Sequence, residues 1–261
     1  MTRHDFEQAV SKVPAVTLGF WIIKILATTL GETGGDTVSM SMKLGYLIGT
    51  AVFLTLLIVL VAVQMKARRF HPVIYWATIV ASTTAGTTMA DFATRSLGIG
   101  YPGGSMLLLA CVLGSLLAWR LVVGSVETDT VSTPKAEAFY WITITFSQTL
   151  GTALGDWAAA THGLGYIGAA MVFAAMLGGV AGLFFWTRVS RVVLFWAAFI
   201  LTRPLGAAVG DFLDKPRDHG GLALSRPIAS AVLAVAITAL IIFLPQRAGS
   251  HPGKRIASAA S

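Results

Sequence analysis

A 17-residue pattern occurs four times along the chain and limits its fold more than any other feature: FWIIKILATTLGETGGD, YWATIVASTTAGTTMAD, YWITITFSQTLGTALGD and FWAAFILTRPLGAAVGD. Each copy opens on an aromatic pair (Phe20-Trp21, Tyr75-Trp76, Tyr140-Trp141, Phe195-Trp196) and closes on Asp36, Asp91, Asp156 or Asp211. A glycine stands five positions before each aspartate (Gly31, Gly86, Gly151, Gly206), and another nine after it (Gly45, Gly100, Gly165, Gly220). Successive aspartates are 55, 65 and 55 residues apart, so the two halves of the chain are related by 120 residues. Self-similarity at a fixed period of this length marks stacked supersecondary units, and each period here has room for two helices.

Composition places those helices in a membrane. The 261 residues are 55% hydrophobic and 12% charged, with a mean hydropathy of +0.75, against about 25% charged in ordinary soluble domains. That excludes a soluble globular protein. A bilayer core needs about 20 apolar residues per helical crossing, and apolar runs lie near 16–36, 45–65, 73–94, 104–124, 138–160, 165–187, 191–213 and 226–245. The expectation is an all-α integral membrane protein with eight transmembrane helices, built from four parallel two-helix repeats at about 16–66, 72–125, 136–189 and 190–245. Residues 1–15 form an N-terminal segment, 16–245 a single transmembrane domain, and 246–261 a disordered tail rich in Ser, Ala, Gly and basic residues.

Loop charge gives an orientation. Arg3, Lys12, Lys66, Arg68, Arg69, Arg120, Lys135, Arg188, Arg191, Arg247, Lys254 and Arg255 fall on the side of both termini, twelve against five on the other (Lys43, Arg95, Lys215, Arg217, Arg226). Both termini are therefore expected in the cytoplasm of a bacterium, with the chain multi-pass in the inner membrane. The excess of 19 Lys and Arg over 12 Asp and Glu is topological, so nucleic acid is not an expected partner; the partners are the bilayer, a cation substrate and, as such bundles permit, a second copy in a homo-oligomer. A single cysteine, Cys111, excludes an internal disulfide.

At 100° per residue each aspartate shares one helix face with the residues four and eight before it and with the Trp. That face carries Glu32, Thr87, Thr152 and Ala207 at minus four, and Thr28, Thr83, Gln148 and Arg203 at minus eight. Odd helices should therefore line the interior, and the nearly uncharged even helices should face lipid. The small residues at spacings of four read as helix packing, and the Trp quartet as an interfacial belt. Lys24 and Glu32 lie on one stripe of the first helix. Charges at such depth need partners and mark ion paths: Lys24 with Glu32 across two turns, or Lys24 and Arg203 with acids on neighbouring helices.

No histidine falls inside a span, and no Walker loop, serine-nucleophile motif or HExxH occurs, so neither a cofactor nor an enzymatic activity is expected. His162 and His219 follow an aspartate by six and eight residues and read as solvated loop residues. The aromatic-Trp, GxxxGD and Gly-Tyr elements (Gly45-Tyr46, Gly100-Tyr101, Gly165-Tyr166) resemble a bacterial family of uncharacterised multi-spanning membrane-anchored proteins over about residues 16–245, a resemblance that implies a membrane location and no particular activity. Glu32-Thr33-Gly34-Gly35-Asp36-Thr37 resembles the E-x-G-D-[KR]-[ST] motif of Gdt-type manganese and calcium transporters, with one inserted residue and no base after the aspartate.

The expected function is secondary transport of a divalent metal cation, manganese for preference, because carboxylate and hydroxyl oxygens suit hard ions. Glu32, Asp36, Asp91, Asp156 and Asp211 are the expected metal ligands, with Thr28, Thr83 and Gln148 adding oxygens. Lys24 and Arg203 would balance the site's charge, and Glu32 would couple it to protons. The alternatives are a cation channel with an acidic ring and a non-transport membrane sensor or assembly protein.

Overall fold

A computed structural model describes residues 11–67, 69–128, 131, 133–160 and 164–249. The first ten residues, His162, and the tail from 250, with His251, lie outside the described residues. The helices are α1 Leu18–Asp36, α2 Gly45–Lys66, α3 Pro72–Asp91, α4 Gly100–Val123, α5 Pro134–Ala160, α6 Gly165–Trp186, α7 Arg191–Asp214 and α8 Arg226–Phe243. Five of them, α2, α4, α6, α7 and α8, are long and apolar enough to cross a bilayer, as in a multi-pass membrane protein. The polar helices α1, α3 and α5 lie inside, where their hydroxyls and charges are buried.

Local chemistry accounts for the helix ends. The Thr17 hydroxyl accepts the Phe20 N–H at 3.2 Å and caps α1, while Pro72 supplies the first residue of α3. α1 and α3 stop at their aspartates, and each runs on into a wider π-helical turn, Thr37–Ser41 and Phe92–Ser96. This is why α3 ends before residue 94. The glycine nine residues after each aspartate is explained by backbone shape: Gly45, Gly100, Gly165 and Gly220 have φ of 77°, 74°, 61° and 84°, the left-handed region that side chains disfavour.

The four odd helices form a closed ring, α1 against α3, α3 against α5, α5 against α7 and α7 against α1. One rule of contact runs round it. A Cβ placed on Gly31, Gly86, Gly151 or Gly206 would strike the residue eight before the aspartate in the next repeat: Thr83, Gln148, Arg203 and, closing the circle, Thr28. Even helices follow the same rule, since α2 packs on α3, α4 on α5, α6 on α7, and α8 on α1. Each hairpin therefore covers its successor, and the last covers the first.

At the opposite end from the aspartates the aromatic pairs interlock in the same sense. Phe20 meets Trp76 at 5.4 Å between ring centroids, Tyr75 meets Trp141 at 5.8 Å, Tyr140 meets Trp196 at 6.4 Å, and Phe195 meets Trp21 at 5.8 Å. Trp76, Trp141 and Trp196 are buried. The expected interfacial belt is instead an inward layer, because the Trp shares its helix face with the aspartate and that face points to the axis.

The glycine contacts make a graded prediction. In Gly86→Ala the new Cβ falls 2.9 Å from the backbone carbon of Gln148 and 3.0 Å from the Thr149 nitrogen, atoms that cannot turn aside. Unfolding in detergent should show a loss of about 1–3 kcal/mol. Gly34→Ala, whose nearest neighbour is 4.0 Å away, should stay within about 0.5 kcal/mol of the parent.

Candidate cation site at the aspartate ring

The shared register brings the C-terminal ends of the odd helices together, and their aspartates meet in pairs bridged by bases. Arg95 Nε lies 2.8 Å from Asp91 Oδ1, and its Nη2 lies 3.1 Å from Asp156 Oδ2. Lys215 Nζ contacts Asp36 Oδ2 and lies 2.9 Å from Asp211 Oδ1, with Asp214 Oδ1 at 4.0 Å. Each bridging base reaches from its own repeat to the next repeat's acid, as the glycines do. Burial alone would lower the pKa of Lys215, but Asp211, Asp36 and Asp214 outweigh it and hold it above its ordinary range. Arg226 Nε completes that side, 3.2 Å from Asp214 Oδ2 and 3.8 Å from Asp36 Oδ2.

One turn below the ring the axis is crossed by a single side chain. Arg203 donates from Nη1 and Nη2 to Glu32 Oε2, both at 3.1 Å, and from Nη2 to the hydroxyls of Thr87 and Thr152 at 2.5 Å and the Thr83 carbonyl at 3.4 Å. One guanidinium thus joins all four odd helices. A planar fork of five donors suits this position, where an ammonium offers only a point of charge. Thr87 also donates to the Gly31 carbonyl at 3.1 Å.

Of the sequence-derived site residues, Glu32, Asp36 and Asp211 converge: each offers a carboxylate oxygen, and these atoms lie within 4.8 Å of one another. Asp36 Oδ1 is buried with no hydrogen-bond partner. Asp91 and Asp156 are not members of that trio and pair with Arg95 instead. Thr28, Thr83 and Gln148 stand two turns before the aspartates of their own helices, about 12 Å of helical rise, and one turn from the level of Glu32. There Thr28 donates to the carbonyls of Ile25 and Thr202 at 2.7 and 3.2 Å, and Thr83 fills the notch at Gly31.

Of the expected pairings, Lys24 with Glu32 does not form, and Arg203 with an acid on a neighbouring helix does. Glu32 is taken by Arg203, and the fully buried Lys24 points to Gln148 Oε1 at 3.5 Å and over the Phe199 ring at 4.1 Å. A forked partner on α7 satisfies Glu32 and two threonines at once, whereas Lys24 sits two turns from it on the same helix. Arg95, Lys215, Asp214 and Arg226 were not expected in the site. A signal for the first two existed: both stand four residues after an aspartate, and they are 120 residues apart, the interval between the halves.

Comparison with known families matches the family model described as a repeat of unknown function, DUF347, at residues 19–70, 74–124, 139–190 and 194–247. No curated protein and no solved structure is similar to the chain.

Proposed function

The chain belongs to the DUF347 repeat family, and from that premise we propose that it is a secondary transporter of a divalent metal cation, manganese for preference, acting through the carboxylates at the aspartate end of the ring. In this reading all eight helices cross a bacterial inner membrane as four parallel hairpins, with both termini cytoplasmic and the aspartates near the opposite face. The meeting of all four aromatic pairs at one end and all four aspartates at the other supports it.

One observation carries the functional reading, a surplus of buried negative charge. Glu32 is balanced by Arg203 and Asp214 by Arg226. With Arg226, which also lies 3.8 Å from Asp36, counted once against Asp214, the four ring aspartates share Arg95 and Lys215, which leaves two negative charges at the ring where exposure is 6% or less. Unbalanced charge is costly in such a place, and one divalent cation offsets it. Carboxylate oxygens are also the ligands that Mn²⁺ prefers. Arg203 closes the axis below the ring, a geometry that suits an alternating carrier better than an open channel.

The test is Mn²⁺ uptake into proteoliposomes. Asp36→Asn with Asp211→Asn keeps size and one acceptor oxygen at each position, so the variant should fold as the parent does while uptake falls roughly a hundredfold or more, since losing even an outer-shell partner of a metal ligand costs about 10–100-fold. Uptake equal to the parent's removes the reading. Mn²⁺ binding without any flux in the parent favours the sensor alternative, which the closed axis at Arg203 also supports. Orientation is checked separately with single cysteines in a Cys111→Ala background: an impermeant thiol reagent added to intact cells should label position 219 and spare position 66.

A further inference from the structure

The two halves of the aspartate ring are related by the 120-residue interval, yet they are bridged by different chemistry. Arg95 grips Asp91 and Asp156 through two separate nitrogens, 2.8 and 3.1 Å away, and donates from Nη1 to the Tyr46 hydroxyl at 3.4 Å. It is a fixed clamp. Lys215 occupies the equivalent place with one ammonium on a flexible stem, and that ammonium lies against Asp36 and Asp211, two members of the convergent Glu32, Asp36 and Asp211 trio.

We propose that Lys215 is a tethered stand-in for the transported cation: its ammonium holds the Asp36–Asp211 half of the ring between transport events, and an arriving metal ion displaces it, while the Arg95 half stays closed. This rests on the reading of the trio as a cation site. Two features support it besides the charge. Asp36 Oδ1 is buried and unpartnered while the ammonium contacts only Oδ2 of the same carboxylate, so Lys215 leaves ligand capacity unused on the group it holds. The backbone that carries Lys215 is also pinned, leaving the side chain as the moving part. Its carbonyl accepts the Ala223 N–H at 2.9 Å, while the N–H groups of Leu222 and Leu224 donate back to Phe212 and Leu213 at 2.7 and 2.9 Å. Arg226 and Asp214 pair beside it at 3.2 Å, Arg226 also lying 3.8 Å from Asp36 and Asp214 4.0 Å from the ammonium, so departure of the ammonium does not strip the loop of its charges.

Gly221 supplies a lever that changes no charge. A Cβ there would run into the Lys215 carbonyl, so Gly221→Ala must shift the backbone from which the ammonium is presented.

The experiment is calorimetric titration of the purified full-length protein in detergent with Mn²⁺ alone. Lys215→Met should bind roughly tenfold more tightly or better than the parent, the scale of close charge-pair couplings. Gly221→Ala should move in the same direction by less. Arg95→Met, which removes an equal charge from the other half, should tighten binding less than Lys215→Met does. An affinity in Lys215→Met equal to or below the parent's overturns the proposal, as does an equal gain in Arg95→Met, since the effect is then only the general field of one lost charge. Should Lys215→Met fail to fold, Gly221→Ala decides on its own, and no tightening there overturns the proposal. Folded parent and folded Lys215→Met that both bind no Mn²⁺ remove the cation site itself, and this proposal with it; a parent that binds and a Lys215→Met that binds more weakly removes only the role of Lys215.

Discussion

Replacing Arg203 with methionine is expected to cost about 3–5 kcal/mol of stability, the loss seen when one partner of a buried ion pair is removed. Glu32 would be left charged and buried beside the hydroxyls of Thr87 and Thr152, which now receive hydrogen bonds from the same guanidinium. Restoring those contacts with water is difficult at a place where all four odd helices touch. Adding Glu32→Gln removes the unpaired charge, so the double variant should regain a substantial part of the loss. Arg203→Lys should fall between them, since one ammonium cannot span Glu32, Thr87 and Thr152 together. Chemical unfolding in detergent, followed by tryptophan fluorescence, provides the measurement. A single variant within about 1 kcal/mol of the parent would mean that Arg203 does not hold the four helices together.

The second large effect concerns closure of the ring. α8 is the outer cover of α1, and its Ser230 donates to the Thr33 hydroxyl at 2.9 Å. A chain ending at residue 224 leaves the polar α1 without its outer cover and should accumulate several-fold less, as destabilised proteins do when they are cleared by proteases. The remedy is to supply α8 from the other direction. The Ser11 N–H donates to the Gly249 carbonyl at 3.3 Å and the Ala15 N–H to the Arg247 carbonyl at 2.8 Å, so the two ends of the described chain run side by side. A permuted protein beginning at Ser225, with residue 249 joined to residue 11 by a short Gly-Ser linker, should accumulate and melt like the parent. If it accumulates no better than the truncated chain, the α8–α1 contact is not the closing contact of the ring.

Much of this arrangement is legible in the sequence, for a definable reason. A repeat written four times reports both the period of the structure and the face each helix shows its neighbours, because a helical register converts spacing into direction. The inward placement of Asp36, Asp91, Asp156 and Asp211 follows from that register, as does the outward placement of the apolar even helices. The direction of travel round the ring does not follow from it. Whether Gly31 packs against Thr83 or Thr28 depends on crossing geometry between helices, which no spacing within one helix encodes. The same gap explains Glu32. Periodicity along α1 offers Lys24 as its partner and the inward face of α7 offers Arg203 to some acid on a neighbouring helix; only the fold decides for Arg203, 171 residues later. Lys215 escapes the helical register because it lies just beyond it, although its counterpart Arg95 at the 120-residue interval marks it.

The pairing of Glu32 with Arg203 also has a consequence in time. A ribosome making about 5–20 residues per second needs roughly 9–34 s to proceed from one to the other, and α8, which covers α1, emerges later still. Through that interval the first helix has α3 beside it, with Thr87 against Gly31 and Glu32, but neither its charged partner nor its outer cover. The nearest base on the same nascent helix is Lys24, two turns away. A residue that ends against Gln148 and Phe199 in the finished protein thus occupies the position from which a newborn helix, carrying a buried acid, can be kept neutral until its sixth successor arrives.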